Sequence, residues 1–392
     1  MHEENALYDN MYAERMGALP PYLFARIDEM KAKKIKAGVD VIDLGVGDPD
    51  LPTPSHVVDE LCRAARDPAH HHYPSYAGMP EFRIAVARWY MRRFGVELDP
   101  STQVLALMGS KDGIAHIPEA FVNPGDFVLA PSPGYPVYRT STLFAEGRVH
   151  EMPLTAENHF IPVLDDIPRK VADSARIMFL NYPNNPTSAV TREGFFKEAV
   201  EFAREHDLII VHDNAYSEIA YDGYKAPSFL ETEGAMDVAI EMHSLSKTYN
   251  MTGWRIGMAV GNGTILSGLG RVKTNVDSGV FDAVQRAGIS ALSGSDDCVR
   301  EACRIYQERR DVLVGGLRKL GFLVDAPKAT FYVWMPVEDC MAFTTRMLDE
   351  AGIVVTPGIG FGSGGAGYVR FALTRSTGRI QEALGRMEGM DL

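Results

Sequence analysis

The chain has 392 residues, 46% of them hydrophobic and 23% charged, a globular composition too long for one ordinary core and expected to form two domains. A formal net charge of −13 argues against nucleic acid or an anionic membrane surface as partner, since both call for clustered positive charge. Four scattered cysteines offer no disulfide framework, and no apolar run reaches the roughly 18 residues a bilayer span requires.

The start, MHEENALYDNMYAERMG, is acidic and polar, unlike a targeting peptide, so a cytoplasmic setting is expected. Residues 1–50 read as an N-terminal arm and part of a small domain. From residue 104 onward, short apolar runs repeatedly break at a polar turn. VLALMGSKDGIAHIPEAF passes from strand to turn to helix, and DFVLAPSPGYPVY and ARIMFLNYPNNPTS each begin as a strand. TREGFFKEAVEFAREHD places apolar residues at 195, 196, 199, 200 and 203, a helical spacing. DLIIVHDNAYSEI, VAIEMHSLSKTYN and RIGMAVG supply further strands. This alternation predicts a mostly parallel sheet covered by helices, the α/β large domain, over residues 51–290.

The last hundred residues differ. A long charged helix in DDCVREACRIYQERRDVLVGGLRKLGF leads to ATFYVWMPV, another helix, IVVTPGIGFG and GYVRFAL. This is an α+β pattern, read as a smaller domain over 291–392.

Three further segments have ordinary explanations. The histidines at 70–72 are consecutive, cannot all face one ion, and read as loop, so no metal is expected. GSGGAG at 362–367 lacks the strand-then-helix setting of a dinucleotide motif and reads as a flexible surface loop. ERR at 308–310 reads as a solvated helix face.

In parallel sheets, ligands sit beyond the carboxyl ends of the strands. Those ends carry Gly109-Ser110-Lys111, Tyr135, Asn184-Asn185-Pro186, Asp213 with Tyr216, and Ser244, Ser246 and Lys247, followed by Arg255. Singly, each is ordinary turn or cap chemistry. Together they suit pyridoxal 5′-phosphate (PLP). An aldehyde needs a primary amine to form a Schiff base, and a desolvated lysine provides one, here Lys247. The ring nitrogen stays protonated beside a buried carboxylate, Asp213. Tyr216 and Asn185 are donors for the ring phenolate. Ser110, Lys111, Ser244 and Arg255 offer a helix start, hydroxyls and cations to the phosphate.

With these residues in place, the chain resembles the class I/II aminotransferases of PLP fold type I over nearly its whole length. VIDLGVGDPDLPTP, HYPSYAGMPEFRIAVARWY, NYPNNPTSAVT, SLSKTYNMTGWRIG and GYVRFAL carry the likeness. The resemblance implies that Lys247 bonds the cofactor and shuttles the substrate proton, with Asp213 on the ring nitrogen and Tyr135 stacked on the ring. It implies that Arg370 forks onto the substrate α-carboxylate and that Gly45 lets that carboxylate approach the backbone. Tyr73 matches a tyrosine that reaches the phosphate of a neighbouring subunit, which implies a homodimer with shared sites.

Within the family, PPYLFARIDE, GSKDGIAHIPEAFVNPGD and KTNVDSGVFDAVQ are most similar to the LL-diaminopimelate aminotransferases, which use glutamate as amino donor. Tyr22 matches a substrate-contacting tyrosine of that group, and Asn275 and Ser278 lie near the position of its distal-group contact. Ser188 stands where glycine is usual. Aspartate, alanine and aromatic transaminases and C–S β-lyases share the mechanism and differ in the distal pocket. A non-catalytic PLP-fold regulator would carry a basic DNA-binding module, and a dehydrogenase a dinucleotide motif; neither is seen.

Overall fold

The computed structural model describes residues 11–19 and 23–390. The central sheet has seven strands: β2 (Val104–Leu107), β3 (Phe127–Ser132), β4 (Arg148–Pro153), β5 (Ala175–Leu180), β6 (Ile209–Asp213), β7 (Ala239–Ser244) and β8 (Gly257–Gly261), in the order β2-β8-β7-β6-β5-β3-β4. Only β8 runs against the others, antiparallel to both β2 and β7. The carboxyl ends of the remaining strands therefore share one edge, and the segment entering β8 returns to that same edge.

Period-two alternation explains why the strand runs are apolar throughout. Val128, Ile177, Val211 and Ile240 face one side, packed with Ile114 and Ile117 of the helix Ser110–Phe121 and Ile265 and Leu269 of the helix Gly263–Val276. Leu129, Met178 and Ile210 face the other, against the helices Pro80–Phe94, Phe195–Glu205 and Asp282–Ser293. The helix Phe195–Glu205 buries Phe195, Phe196, Ala199, Val200 and Ala203, the five positions its spacing predicts. Between β6 and β7 lies a buried, fully partnered charge. Glu241 accepts from Tyr90, Ser228 and the Phe229 N–H and pairs with His212 at 2.8 Å, fixing the strand that ends at Asp213.

A second apolar core forms around a three-stranded antiparallel sheet, β11 (Thr356–Pro357), β12 (Tyr368–Ala372) and β9 (Tyr332–Pro336). Beside it, β1 (Ile42–Asp43) pairs in parallel with β10 (Ile353–Val354). Ile42, Leu44, Ile219, Tyr306, Leu313, Phe331, Val333, Ile353, Phe371 and Ile380 share this core. The helix Asp297–Lys319 bridges the two: Val299 packs into the first core and Ala302 and Tyr306 into the second.

Two sequence readings are corrected. Arg309 and Arg310 are not on a solvated face; both are buried, and only Glu308 of the three is exposed. Arg309 donates to both oxygens of Asp50 at 2.6 and 2.9 Å and to the Leu373 carbonyl, while Arg310 pairs with Asp222 and reaches the Pro327 carbonyl. The arginines bury because this helix joins the segment after β1 to the loop after β6. The glycines at 362–367 are not a loose loop either. A Cβ on Gly365 would meet the Gly358 oxygen at 2.0 Å and one on Gly364 the Ser132 oxygen at 2.5 Å, so backbone packs on backbone against the end of β3. The histidines have structural partners: His70 and His71 bond the Ala64 and Ala65 carbonyls at 2.9 Å, at the end of the helix Ser55–Ala65.

Candidate active site

The strand ends converge as expected on one edge. Lys247 lies in the short helix Leu245–Thr248 that follows β7, and its Nζ donates to the Gly47 carbonyl at 3.0 Å. Burial lowers its pKa to about 8, with Arg370 and Arg255 pushing the same way and Asp48 and Asp213 opposing. At neutral pH roughly a tenth of the amine is thus unprotonated, far more than for an ordinary lysine, and the free amine is the form a nucleophile requires.

Asp213 closes β6 and is 5% exposed. Burial raises its pKa to about 6, against the Tyr138 hydrogen bond and nearby positive charge. Tyr138 donates to Oδ2 at 2.8 Å. Oδ1 is buried without a hydrogen bond of good geometry, the Ala215 N–H giving only weaker help. A buried carboxylate with one oxygen to spare is short of a donor or a cation. Tyr138 was not among the residues singled out in the sequence. Its signal was its place three residues after Tyr135 at a helix start, where it stacks on Phe179 at 4.8 Å and meets Tyr135 edge-on at 5.8 Å.

Arg370, in β12, is buried, and among the described residues no carboxylate pairs with it. It donates to Asn185 Oδ1 at 2.6 Å and to the Gly45 carbonyl at 2.8 Å, and its Nε is buried without a hydrogen bond. Its guanidinium lies 4.0 Å from the Tyr332 ring centroid and 4.7 Å from that of Phe361. Burial lowers its pKa, so the cation sits at a cost that an incoming anion would relieve. A Cβ on Gly45 would crowd Val354 and Thr356 at 3.1 and 3.2 Å. Tyr216 is buried, and its hydroxyl is 3.1 Å from that of Tyr332. Tyr332 and Gly47 are also site residues not singled out in the sequence; an aromatic within FYVWM looks like core, and Gly47 like turn chemistry.

The anion cradle forms at the start of the helix Ser110–Phe121. Gly109 has φ 81°, and a Cβ there would fall 2.3 Å from Arg255 Nη2, so the turn admits only glycine. Arg255 itself has φ 55° and donates to the Met108 and Thr252 carbonyls, with Ser246 Oγ 3.4 Å away. All of these are neutral acceptors, which leaves its charge for an anion. Ser244 Oγ accepts from the Ser246 N–H at 3.2 Å, and Lys111 is exposed on the first helical turn. Asp112 in that turn would repel an anion, but buried Lys273 donates to it.

Other predicted residues lie elsewhere. Tyr73 is 90% exposed. Asn275, exposed, donates to the Arg271 carbonyl at the end of its own helix, and Ser278 is exposed two residues beyond that helix. None of the three is bonded to Lys247, Asp213 or Arg370 within the chain. They share a surface, because a Cβ on Gly279 would meet the Ser75 oxygen at 2.8 Å. Tyr22 lies outside the described residues.

The family model for aminotransferase class I and II matches residues 39–387. LL-diaminopimelate aminotransferase from Syntrophobacter fumaroxidans is 57% identical over 378 residues, 96% of this chain and 97% of that protein. The protein of the same name from Aquifex aeolicus is 54% identical over 384 residues, 97% of this chain and 99% of the other. Among solved structures, substrate-bound BacF from Bacillus subtilis superposes with TM-score 0.93 at 37% identity, covering 96% of this chain and 97% of that one. A probable N-succinyldiaminopimelate aminotransferase from Thermus thermophilus superposes with TM-score 0.88 at 38% identity, covering 93% of this chain and 98% of that one.

Proposed function

This chain belongs to the class I and II aminotransferases, and we propose that it uses PLP to move an amino group between LL-diaminopimelate/tetrahydrodipicolinate and glutamate/2-oxoglutarate. The observation that carries an amino-acid substrate is Arg370, a buried guanidinium without a carboxylate partner among the described residues, close enough to depress the pKa of Lys247. The particular substrate rests on relatives named for it at 51–57% identity over nearly the full length.

The residues present fit the cofactor. Asp213 Oδ1 lacks a good donor, as the partner of a protonated ring nitrogen should. Gly109, the helix start at Ser110, Ser244 and Arg255 form a cradle that a Cβ would fill. When bound, PLP supplies an electron-accepting ring that stabilises negative charge at the substrate Cα. Lys247 Nζ holds the cofactor in the resting enzyme and takes the Cα proton during turnover. Asp213, held by Tyr138, keeps a proton on the ring nitrogen, and Tyr216 and Asn185 donate toward the ring oxygen. Tyr135 packs on the ring face. Arg370 orients the α-carboxylate, with Gly45 leaving room for it.

Tyr73, Tyr76, Val276 and Phe281 are exposed apolar side chains on or beside the surface that holds Asn275 and Ser278. This supports a homodimer in which Tyr73 reaches the other subunit's phosphate and Asn275 and Ser278 lie near its distal pocket. Tyr22 belongs to the same proposal as a substrate contact. The division into 1–50, 51–290 and 291–392 is retained with one change: the join runs along the helix Asp297–Lys319, which contributes to both cores. No described helix is long and apolar enough to cross a membrane, in keeping with the cytoplasmic assignment proposed here.

Glutamate formation from LL-diaminopimelate and 2-oxoglutarate tests the reading. Turnover well above that with aspartate or phenylalanine as donor is expected; the reverse order would replace the substrate.

A further inference from the structure

Tyr332, the first residue of β9, has no part in the roles above, yet Tyr216 and Arg370 both meet it, and Lys247 is linked to it through Gly47. Its backbone is clamped: the N–H donates to Thr330 Oγ1 at 3.0 Å, and the carbonyl accepts from Ser188 Oγ at 2.8 Å. Ser188 has φ 60°, a conformation that favours glycine, and its hydroxyl bonds both this carbonyl and Thr330. The Tyr332 ring lies beneath the Arg370 guanidinium at 4.0 Å and edge-on to Tyr216 at 5.7 Å. Its hydroxyl is 3.1 Å from the Tyr216 hydroxyl. A Cβ on Gly47 would fall 2.0 Å from that same hydroxyl, and the Gly47 carbonyl is the acceptor of Lys247 Nζ.

We propose that Tyr332 is a positioning residue for transamination: its hydroxyl donates to Tyr216, which turns the Tyr216 proton toward the ring oxygen of the cofactor, while its ring holds Arg370 in place. The proposal rests on the role given to Tyr216 above. A phenol carries one proton. If Tyr216 spends its proton on the cofactor, the 3.1 Å contact is made by the proton of Tyr332. Donation into the Tyr216 oxygen then polarises its O–H and strengthens the bond it makes, as chained hydrogen bonds do. Contact with Gly47 places the same hydroxyl against the backbone that receives Lys247, so one side chain registers the amine, the phenol and the carboxylate receptor together.

The test is a spectrophotometric pH titration of the purified holoenzyme, which reads the midpoint at which the visible band of the Lys247-bound cofactor changes. Tyr332→Phe removes one oxygen and keeps the ring. Its midpoint is expected to rise by roughly 0.3–1 pH unit, because a less well stabilised ring oxygen holds the shared proton more tightly. The charges around Lys247 come from Asp48, Asp213, Arg255 and Arg370, and the neighbouring phenols are Tyr135, Tyr138 and Tyr216. All remain in this variant, so they do not produce the difference. KM for the amino donor is expected to stay within about twofold, since the ring under Arg370 remains. Tyr332→Leu, which removes the ring, is expected to raise that KM severalfold.

Tyr216→Phe, titrated alongside, separates the two levels of the argument. It is expected to shift the midpoint in the same direction and further. If Tyr216→Phe shifts the midpoint and Tyr332→Phe does not, the hydroxyl role is overturned and the Tyr216 reading stands. If neither shifts it, the Tyr216 reading falls and the proposal with it. An unchanged KM in Tyr332→Leu overturns the role of the ring.

Discussion

Burial moves the pKa of Lys247 down and that of Asp213 up, each toward neutrality, and both shifts belong to strand ends that close a fully covered sheet. For Asp213 the sign can be followed through. Its folded pKa of about 6 lies above the ordinary 3.8, so the cofactor-free protein gains stability from this group below pH 3.8 and loses it as pH rises to about 6. Asp213→Asn keeps the shape and abolishes this dependence. In cofactor-free protein, the variant is expected to gain on the wild type in melting temperature as pH climbs through that window, and parallel melts at several pH values would show it. With cofactor the order reverses in function: turnover should fall by roughly a hundredfold or more, the scale of losing a preorganised charge, with a smaller loss of cofactor occupancy. Equal turnover would remove Asp213 from the ring nitrogen. The placement of Lys247, Asp213 and Asn185 at strand ends was legible in the sequence because each polar group follows an apolar run, whereas Arg370 was singled out through the family resemblance. Tyr138 and Tyr332 were not legible, since an aromatic inside an apolar run gives the same signal whether it fills the core or donates a proton.

Among the elements, the strands were the most legible, and the reason is their double burial: an apolar run of four to six residues ending in a polar turn has few other uses. Helix faces were legible where their partners were apolar, as in Phe195–Glu205. They were misleading where the partner was a charge from a distant segment. Arg309 and Asp50 are 259 residues apart, and no local pattern announces their pairing. The glycines near 365 misled for a related reason, because glycine marks both loose chain and the closest backbone contacts. Arg309 gives the element-scale prediction. Arg309→Leu leaves Asp50 without its bidentate partner and the Leu373 carbonyl without a donor. Chemical denaturation should show a loss of about 2–3 kcal/mol, below the range for fully buried pairs because Asp50 is partly exposed. A loss under about 0.5 kcal/mol would mean that the pair behaves as a surface one.

For the whole molecule, the candidate site lies where the two cores meet. The large sheet supplies Lys247, Asp213 and the anion cradle, while β12 and the segment after β1 supply Arg370, Gly45 and Gly47. An amino acid bound there would touch both, so the site can read its carboxylate at one wall and present its amine to the other. The proposed homodimer would extend that arrangement through the exposed surface around Tyr73 and Phe281. The sequence placed the strand-end polar groups on one edge through the alternation of strand and helix; what it left open was the distal pocket.

The most direct measurement is an absorbance scan of the PLP-loaded protein as single amino donors are added without any oxo acid: LL-diaminopimelate, glutamate, aspartate, alanine and phenylalanine. Rapid loss of the visible band with LL-diaminopimelate and with glutamate, and slow loss with the other three, is the predicted result. Rapid loss with aspartate, alanine or phenylalanine instead would contradict the substrate assignment. A freshly loaded protein with no visible band would contradict the role of Lys247 itself.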